Sequence, residues 1–436
     1  MLLAWTGRGE AGEAPADPAR SARRPLARLP HMKVDDTRAA AAGLRKIPGK
    51  HITLYTDVKP AAEIDRLPAI FDQAFAQWCA YFHIDPAKCA DWTMTGFLMK
   101  DKARFQQAGV LPADLPPFPN GYSWNHELWL YDQPSDYYRR HLLLHEGTHA
   151  FMNTQLGGCG PPWYMEGIAE LLATHRWQDG RLTMNYMPAS REEVPYWGRI
   201  KFIKDAVEAK RAKRLRDVIE FPVSAHRETE AYAWSWAAAA LLDRHPRYQK
   251  RFRTLCQYIP DGHLTTEFYR LMRDDWQELC EEWQLLVTGL EYGHDIGRTA
   301  VDFTPGKPLP AAGATVTVAA DRGWQNSGLR LEGGAKYGLR AAGRYQVAHE
   351  PQIWWCEPNG VSMRYYRGRP LGMLLAAVRP DRPAADSLCP LVRPIEVGLG
   401  TTLAPQQAGT LFFKINDSPA ELDDNAGTLK VEIRPQ

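Results

Sequence analysis

"HLLLHEGTHAF", residues 141–151, sets three histidines and a glutamate among leucines in a run with the texture of a buried helix. Imidazole and carboxylate buried this way are costly unless something holds them. His145 and His149 are four residues apart, so on a helix they project from one face, one turn apart, with Glu146 beside them. Two imidazoles so placed are half of a metal site. Zinc is the metal that fits, with Glu146 as the candidate general base. A hydrolytic zinc takes three protein ligands and keeps a fourth position open, so a third ligand has to come from elsewhere.

"PPWYMEGIAELLATH", residues 161–175, supplies it. Pro161 and Pro162 follow the turn "GGCG" and suit the first positions of a helix, which puts Glu166 within about its first two turns. Sixteen residues lie between His149 and Glu166, enough for the chain to reverse into a second helix packed on the first. Glu170 sits one turn beyond Glu166 and is expected to take the other N–H of His145, fixing its tautomer. Leu142, Leu143, Leu144, Phe151, Ile168, Leu171 and Leu172 would form a dry wall around the imidazoles. His141 has no matching partner and reads as a structural or surface histidine. Tyr232 opens the buried run "AYAWSWAAAALL" (231–242) and is the candidate oxyanion donor, although a packed helix-start tyrosine explains it equally well. The plain alternative is that His145 and Glu146 are surface helix residues and Glu166 a helix cap. The joint spacing of two histidines and three carboxylates weighs against it.

Composition bounds the rest. At 436 residues, 44% hydrophobic and 24% charged, the chain is an ordinary globular protein with room for two or three domains. A net charge of +2, from 53 basic and 51 acidic residues, gives no electrostatic case for nucleic acid or an anionic membrane. No apolar run approaches the roughly eighteen residues of a membrane span, and "MLLAW" is too short for a secretory core. Seven cysteines show no paired C-x-x-C spacing and leave the redox compartment open; Cys79 and Cys89 are the nearest candidates for pairing.

The expected organisation is α+β: a small sheet with a helical bundle, then an antiparallel β-sandwich. Residues 1–45, rich in Ala, Arg, Pro and Gly, read as a disordered or processed arm. Residues 46–300 form the expected catalytic domain. Its strands are "HITLYTDV" from His51, Trp92–Met99 and Glu127–Asp132, and "NHELWLYD" reads as an edge strand, either one that pairs with an extended peptide or, equally well, an ordinary one. Its helices are Ala61–Phe82, Asp136–Gln155, Pro162–His175, Trp197–Lys213, Glu228–Asp243 and a pair between Arg247 and Tyr292. "TPGKPLPAAGA" near Gly306 reads as a linker. The runs "ATVTVAA", "GLRLEG", "GMLLAAV", "TLFFKI" and "TLKVEI" then give residues 301–436 the pattern of a β-sandwich.

Together, "HEGTHAF", "WYMEGIAE" and "AYAWSWAAAALL" resemble the gluzincin, peptidase MA-like metallopeptidases over residues of about 50 to 290. The resemblance implies a zincin-like fold, zinc on His145, His149 and Glu166, Glu146 as base, a peptide or protein substrate, and a lean toward an exported protein. No G-x-M-E-N motif of the aminopeptidase branch is present, so endo- and exopeptidase action both stay open. "FKINDSPAELDDNAGTLKVEI" (413–433) resembles the calcium loop of LecA-type galactose-binding lectins. That likeness implies calcium on Asp417, the Glu421 carbonyl, Asp424 and Asn425, and carbohydrate as a second ligand. A solvated hairpin loop has the same composition. The competing reading for the whole chain is a non-catalytic, lectin-like binding protein with a structural zinc site, against which Glu146 speaks because a structural site needs no base.

Overall fold

A computed structural model describes residues 31–384 and 387–436. Residues 1–30 of the expected arm lie outside the described residues. Its remainder is built in: Asp36–Ala41 is a helix capped by Asp35, and Arg45–Pro48 is a strand, β1.

β1 pairs antiparallel with β2 (Ile52–Thr56), which runs parallel to β3 (Met94–Met99). β3 runs parallel to β5 (Glu127–Tyr131), and β4 (Gly121–Trp124) closes the sheet in the order β1-β2-β3-β5-β4. "NHELWLYD" is therefore an inner strand, not an edge. The edge is β4, a four-residue strand too short and too mixed in exposure to carry a sequence pattern. β5 is buried because strands flank it on both sides, and Leu128, Trp129 and Leu130 fill its two faces.

The helix Leu67–Tyr81 buries Phe71, Phe75 and Trp78 against the long histidine helix, Asp136–Leu156. The residues between the two histidines make this packing possible. A Cβ on Gly147 would lie 2.7 Å from both Phe71 Cε2 and Trp78 Cη2, so only glycine lets the helices approach this closely. Thr148 Oγ1 accepts the Trp78 indole N–H at 2.9 Å, satisfying a donor with 0% exposure. Ser135 caps the histidine helix through the Tyr138 N–H, and Gly157 ends it in the left-handed region at φ 82°.

The chain then reverses into the glutamate helix, Pro162–Ala173, whose first residue is proline. It lies against the tyrosine helix, Thr229–Arg244. A Cβ on Gly167 would meet the Ser235 carbonyl at 2.8 Å, and the alanines 237–240 keep the opposite side small. The downstream region is more broken than periodicity suggests. The expected Trp197–Lys213 helix is the shorter Arg199–Glu208, a separate helix Leu215–Ile219 follows beyond it, and the expected pair after Arg247 is three helices, Gln249–Thr254, Leu264–Met272 and Trp276–Gly289.

Beyond residue 300 the structure is made of strands. One sheet orders Ile395–Glu396, Leu374–Pro380, Gly409–Ile415, Gln325–Leu331 and Lys307–Pro308; a second orders Gly400–Leu403, Tyr337–Ala342, Thr428–Pro435 and Ala314–Ala319. Inward side chains of both, among them Leu331, Leu339, Phe413, Val431 and Ile433, form one shared core. Lys307–Pro308 pairs in parallel with Gln325–Leu331, so the expected linker contributes a short strand to an otherwise antiparallel sheet. The chain as a whole is mixed α+β. No helix among the described residues is long and apolar enough to cross a membrane.

Candidate metal centre

His145 and His149 both point from the histidine helix toward Glu166 on the glutamate helix, and all three are buried. His145 Nε2 lies 3.1 Å from His149 Nε2. Glu166 Oε2 is 3.3 Å from His145 Nε2 and 3.4 Å from His149 Nε2. Atoms bound tetrahedrally to one zinc at about 2.0–2.1 Å stand about 3.3–3.4 Å apart, so these three atoms have the edge lengths of one face of such a tetrahedron. Glu166 Oε2 is buried without a hydrogen-bond partner, the state of an oxygen meant for a cation. Buried His/Glu groups able to bind a metal are thus present in the fold.

The electrostatics agree. Burial works against a charged His145, yet the Glu166 and Glu170 carboxylates pull it up to about 9. Burial likewise opposes an ionised Glu166, but His149 and His145 bring it down to about 2. The site is poised to hold positive charge.

A second trio, His141, His145 and Glu170, also gathers its ligand atoms. Here the carboxylate is already taken. Arg199 donates from Nε to Glu170 Oε2 at 3.0 Å and from Nη2 to Oε1 at 2.8 Å, and Trp197 Nε1 donates to Oε2 at 3.3 Å. A cation there would face the guanidinium directly, so the first trio is the better site. Glu170 Oε1 stands 3.4 Å from His145 Nδ1, and Glu170 Oε2 stands 3.4 Å from His141 Nε2. His141 is therefore buried and shares Glu170, rather than being at the surface. Arg199, Trp197 and this use of His141 escaped sequence reasoning. Arg199 lies 29 residues from Glu170, and nothing in "YWGRI" marks the pair.

Glu146 is buried beside the trio, where burial raises its carboxyl while His145 and His149 lower it. β4 lies over it: a Cβ on Gly121 would stand 2.9 Å from Glu146 Oε1, so glycine keeps the edge strand close to the carboxylate. Tyr232 brings its ring centroid to 5.9 Å from that of His145, and Arg199 stacks on the Tyr232 ring at 5.6 Å. Burial, joined by Glu166 and Glu146, pushes the Tyr232 phenol up, keeping it protonated.

The other proposed loop sits between Gly409–Ile415 and Thr428–Pro435. Asp417 accepts from Ser418 N at 2.7 Å and from Asn425 Nδ2 at 2.9 Å. Arg364 pairs with the Glu421 carboxylate at 2.6 Å. Asp424 Oδ1 and Asn425 Oδ1 are buried without hydrogen-bond partners. All seven cysteines are free; Cys79 and Cys89 face each other with sulfurs 3.8 Å apart, and Cys159 donates to the His149 carbonyl at 3.5 Å.

No family model matches the chain, and no curated protein matches its sequence. Among solved structures, the N-terminal domain of EclA, described as a PllA-like lectin, is similar at 22% identity over 28% of this chain and 95% of that one, with a TM-score of 0.20. IMPa metallopeptidase from Pseudomonas aeruginosa is similar at 13% identity over 80% of this chain, with a TM-score of 0.18. Its complex with an O-glycopeptide gives 12% identity and the same TM-score, 0.18. The chain spans 38% of the length of that metallopeptidase. Likenesses this faint assign neither fold nor function.

Proposed function

We propose that this chain is a zinc-dependent peptidase. The supporting observation is the triangle of His145 Nε2, His149 Nε2 and Glu166 Oε2, with sides of 3.1, 3.3 and 3.4 Å. A zinc on these atoms would supply a Lewis acid and a water of lowered pKa at its open position. Glu146 takes the proton of the attacking water and returns it to the leaving amine, its burial keeping its proton affinity above that of a free carboxylate. Tyr232, protonated and close to His145, donates to the oxyanion that forms on the scissile carbonyl. The Glu170 carboxylate, 3.4 Å from His145 Nδ1, would orient that imidazole with its Nε2 toward a metal; Arg199 and Trp197 hold Glu170. β4 is the free edge of its sheet and offers backbone groups to an extended peptide next to Glu146.

In this reading residues 46–300 are a zincin-like domain and residues 301–436 a galactose-binding-like β-sandwich that presents the enzyme to protein or carbohydrate surfaces. Calcium is the cation we assign to the loop of Asp417, the Glu421 carbonyl, Asp424 and Asn425. Burial raises Asp417 to about 7, with Glu421 and Asp424 adding to the rise, and two buried oxygens there lack donors. A hard cation relieves both conditions. Arg364 occupies the Glu421 carboxylate, which leaves its carbonyl for the ligand role.

Cleavage of a casein-like substrate tests the catalytic proposal. The wild type should cleave it, and a Glu146→Gln protein that still binds zinc should not. Equal cleavage by both would remove Glu146 from the chemistry, and no cleavage by either would leave a binding protein with a structural metal.

A further inference from the structure

The strand Gly409–Ile415 is buried along its length except at Lys414, which stands on the same face as Phe412. That face packs with Trp324 and Leu375 toward the helix Trp276–Gly289. A lysine aimed into such a layer is costly without a counter-charge. Between the helix and the sheet lies a cavity of about 130 Å³ that Lys414 lines; it shares no residue with the His145, His149 and Glu166 trio, and Asp417 of the proposed calcium loop stands at its wall. Its walls are mixed: Leu285, Leu286, Ile296, Trp324, Leu375 and Ile415 supply an apolar side, and polar and charged side chains supply the rest.

Every other charged side chain at this cavity has a partner. Glu282 Oε1 accepts from Val301 N at 2.7 Å and faces His245 Nε2 at 3.0 Å. Asp417 is held by Ser418 and Asn425. Arg369 donates to Glu396 at 3.0 Å, Arg367 donates to the Thr288 carbonyl, and Arg322 lies 3.9 Å from Asp321. Lys414 has only the face of Trp324, 5.4 Å from Nζ to the ring centroid. Asp417 and Glu291 attract it from beyond hydrogen-bonding distance, and no acceptor among the described residues reaches its Nζ. Burial, with Arg367 and Arg369 nearby, brings Lys414 down to about 8.

One cation without an ion-pair partner calls for one negative charge, and the apolar side formed by Leu285, Leu286, Trp324 and Leu375 calls for an apolar body behind it. The volume is close to the ~150 Å³ of apolar space that accommodates a benzene molecule. We propose that this cavity binds a small monocarboxylate with an apolar body, its carboxylate on Lys414 and its body against Trp324 and the helix. Such a ligand would touch both the helical and the strand portions of the chain. It would add its binding free energy to their association.

Benzoate is the probe, titrated into the full chain by calorimetry and followed by thermal shift. Benzamide serves as the neutral isostere and inorganic phosphate as a compact anion without an apolar body. Benzoate should bind and raise the melting temperature, benzamide should bind about ten- to a hundred-fold more weakly, and phosphate should not shift the melting temperature. Lys414→Met should abolish the preference for benzoate, and Lys414→Arg should retain it, with circular dichroism reporting the fold of each. Absence of benzoate binding, equal binding of benzamide, or a phosphate shift matching that of benzoate overturns the proposal. So does benzoate binding that persists in Lys414→Met, since it would then belong to another site such as the metal centre. If neither variant folds, the comparison of benzoate with benzamide on the wild type still decides.

Discussion

Replacing Arg199 by methionine removes the group that holds Glu170 in place. The guanidinium grips both carboxylate oxygens, at 2.8 and 3.0 Å, and the two side chains are 10% and 2% exposed. The variant leaves Glu170 buried, with only the Trp197 N–H and two imidazoles around it. Removing one partner of a buried pair costs about 3–5 kcal/mol. The imidazoles of His141 and His145 can take up part of that by protonating, so the lower end, about 3 kcal/mol, is expected. For a cooperative unit of 150–250 residues this lowers the melting temperature by roughly 6–12 °C. Zinc affinity should fall by about 10–100-fold, because Glu170 no longer fixes the His145 ring. Calorimetry on zinc-free and zinc-loaded protein reads the first effect, and competition with a chelator reads the second. The double variant Arg199→Met/Glu170→Leu removes both charges, so it should recover most of the stability and none of the zinc affinity. A single-variant loss below about 1 kcal/mol, or zinc affinity restored in the double variant, would refute the positioning role.

Three other outcomes are expected. Zinc-free protein should be most stable between about pH 4.5 and 6.5, the ordinary values of Glu and His. Glu166, lowered to about 2, stabilises above 4.5 and loses that contribution as pH falls, whereas His145, raised to about 9, stabilises below 6.5 and loses it as pH rises. Melting curves of the zinc-free protein against pH check this, and a maximum above pH 9 would contradict it. Gly167→Ala should destabilise by about 1–3 kcal/mol in urea titrations, because its Cβ would meet backbone at the Ser235 carbonyl, 2.8 Å away. Calcium at about 100 times its dissociation constant should stabilise the wild type by about 2.7 kcal/mol and have a weaker effect on Asp424→Asn, as thermal shifts would show.

The parts of the site that lie along one helix were legible in the sequence. The four-residue interval of His145 and His149 fixes a shared face, and Pro161-Pro162 fixes where the next helix begins, so the approach of Glu166 follows from periodicity and one reversal. Arg199 was not legible, since its contact with Glu170 joins two helices whose packing no local pattern records. The same limit hid the partner of His141. Beyond residue 300 the strands Ala314–Ala319, Tyr337–Ala342 and Thr428–Pro435 alternate and Leu374–Pro380 and Gly409–Ile415 are short apolar runs, both of which show in the sequence, whereas β4 is four residues long and half exposed and gives no signal beside the more hydrophobic β5. The hairpin Arg176–Gln178/Arg181–Thr183 has a turn signal in Asp179-Gly180, both at positive φ, but strands of three residues are too short to show an alternating pattern.

Zinc content per chain by elemental analysis, on wild type and Glu166→Ala purified side by side without added metal, tests the central claim most directly. The expected result is close to one zinc in the wild type and little in the variant, with both folded by circular dichroism. A folded wild type that neither carries nor takes up zinc, or a Glu166→Ala protein that keeps its full complement, would contradict the three-ligand centre on which the enzymatic reading rests.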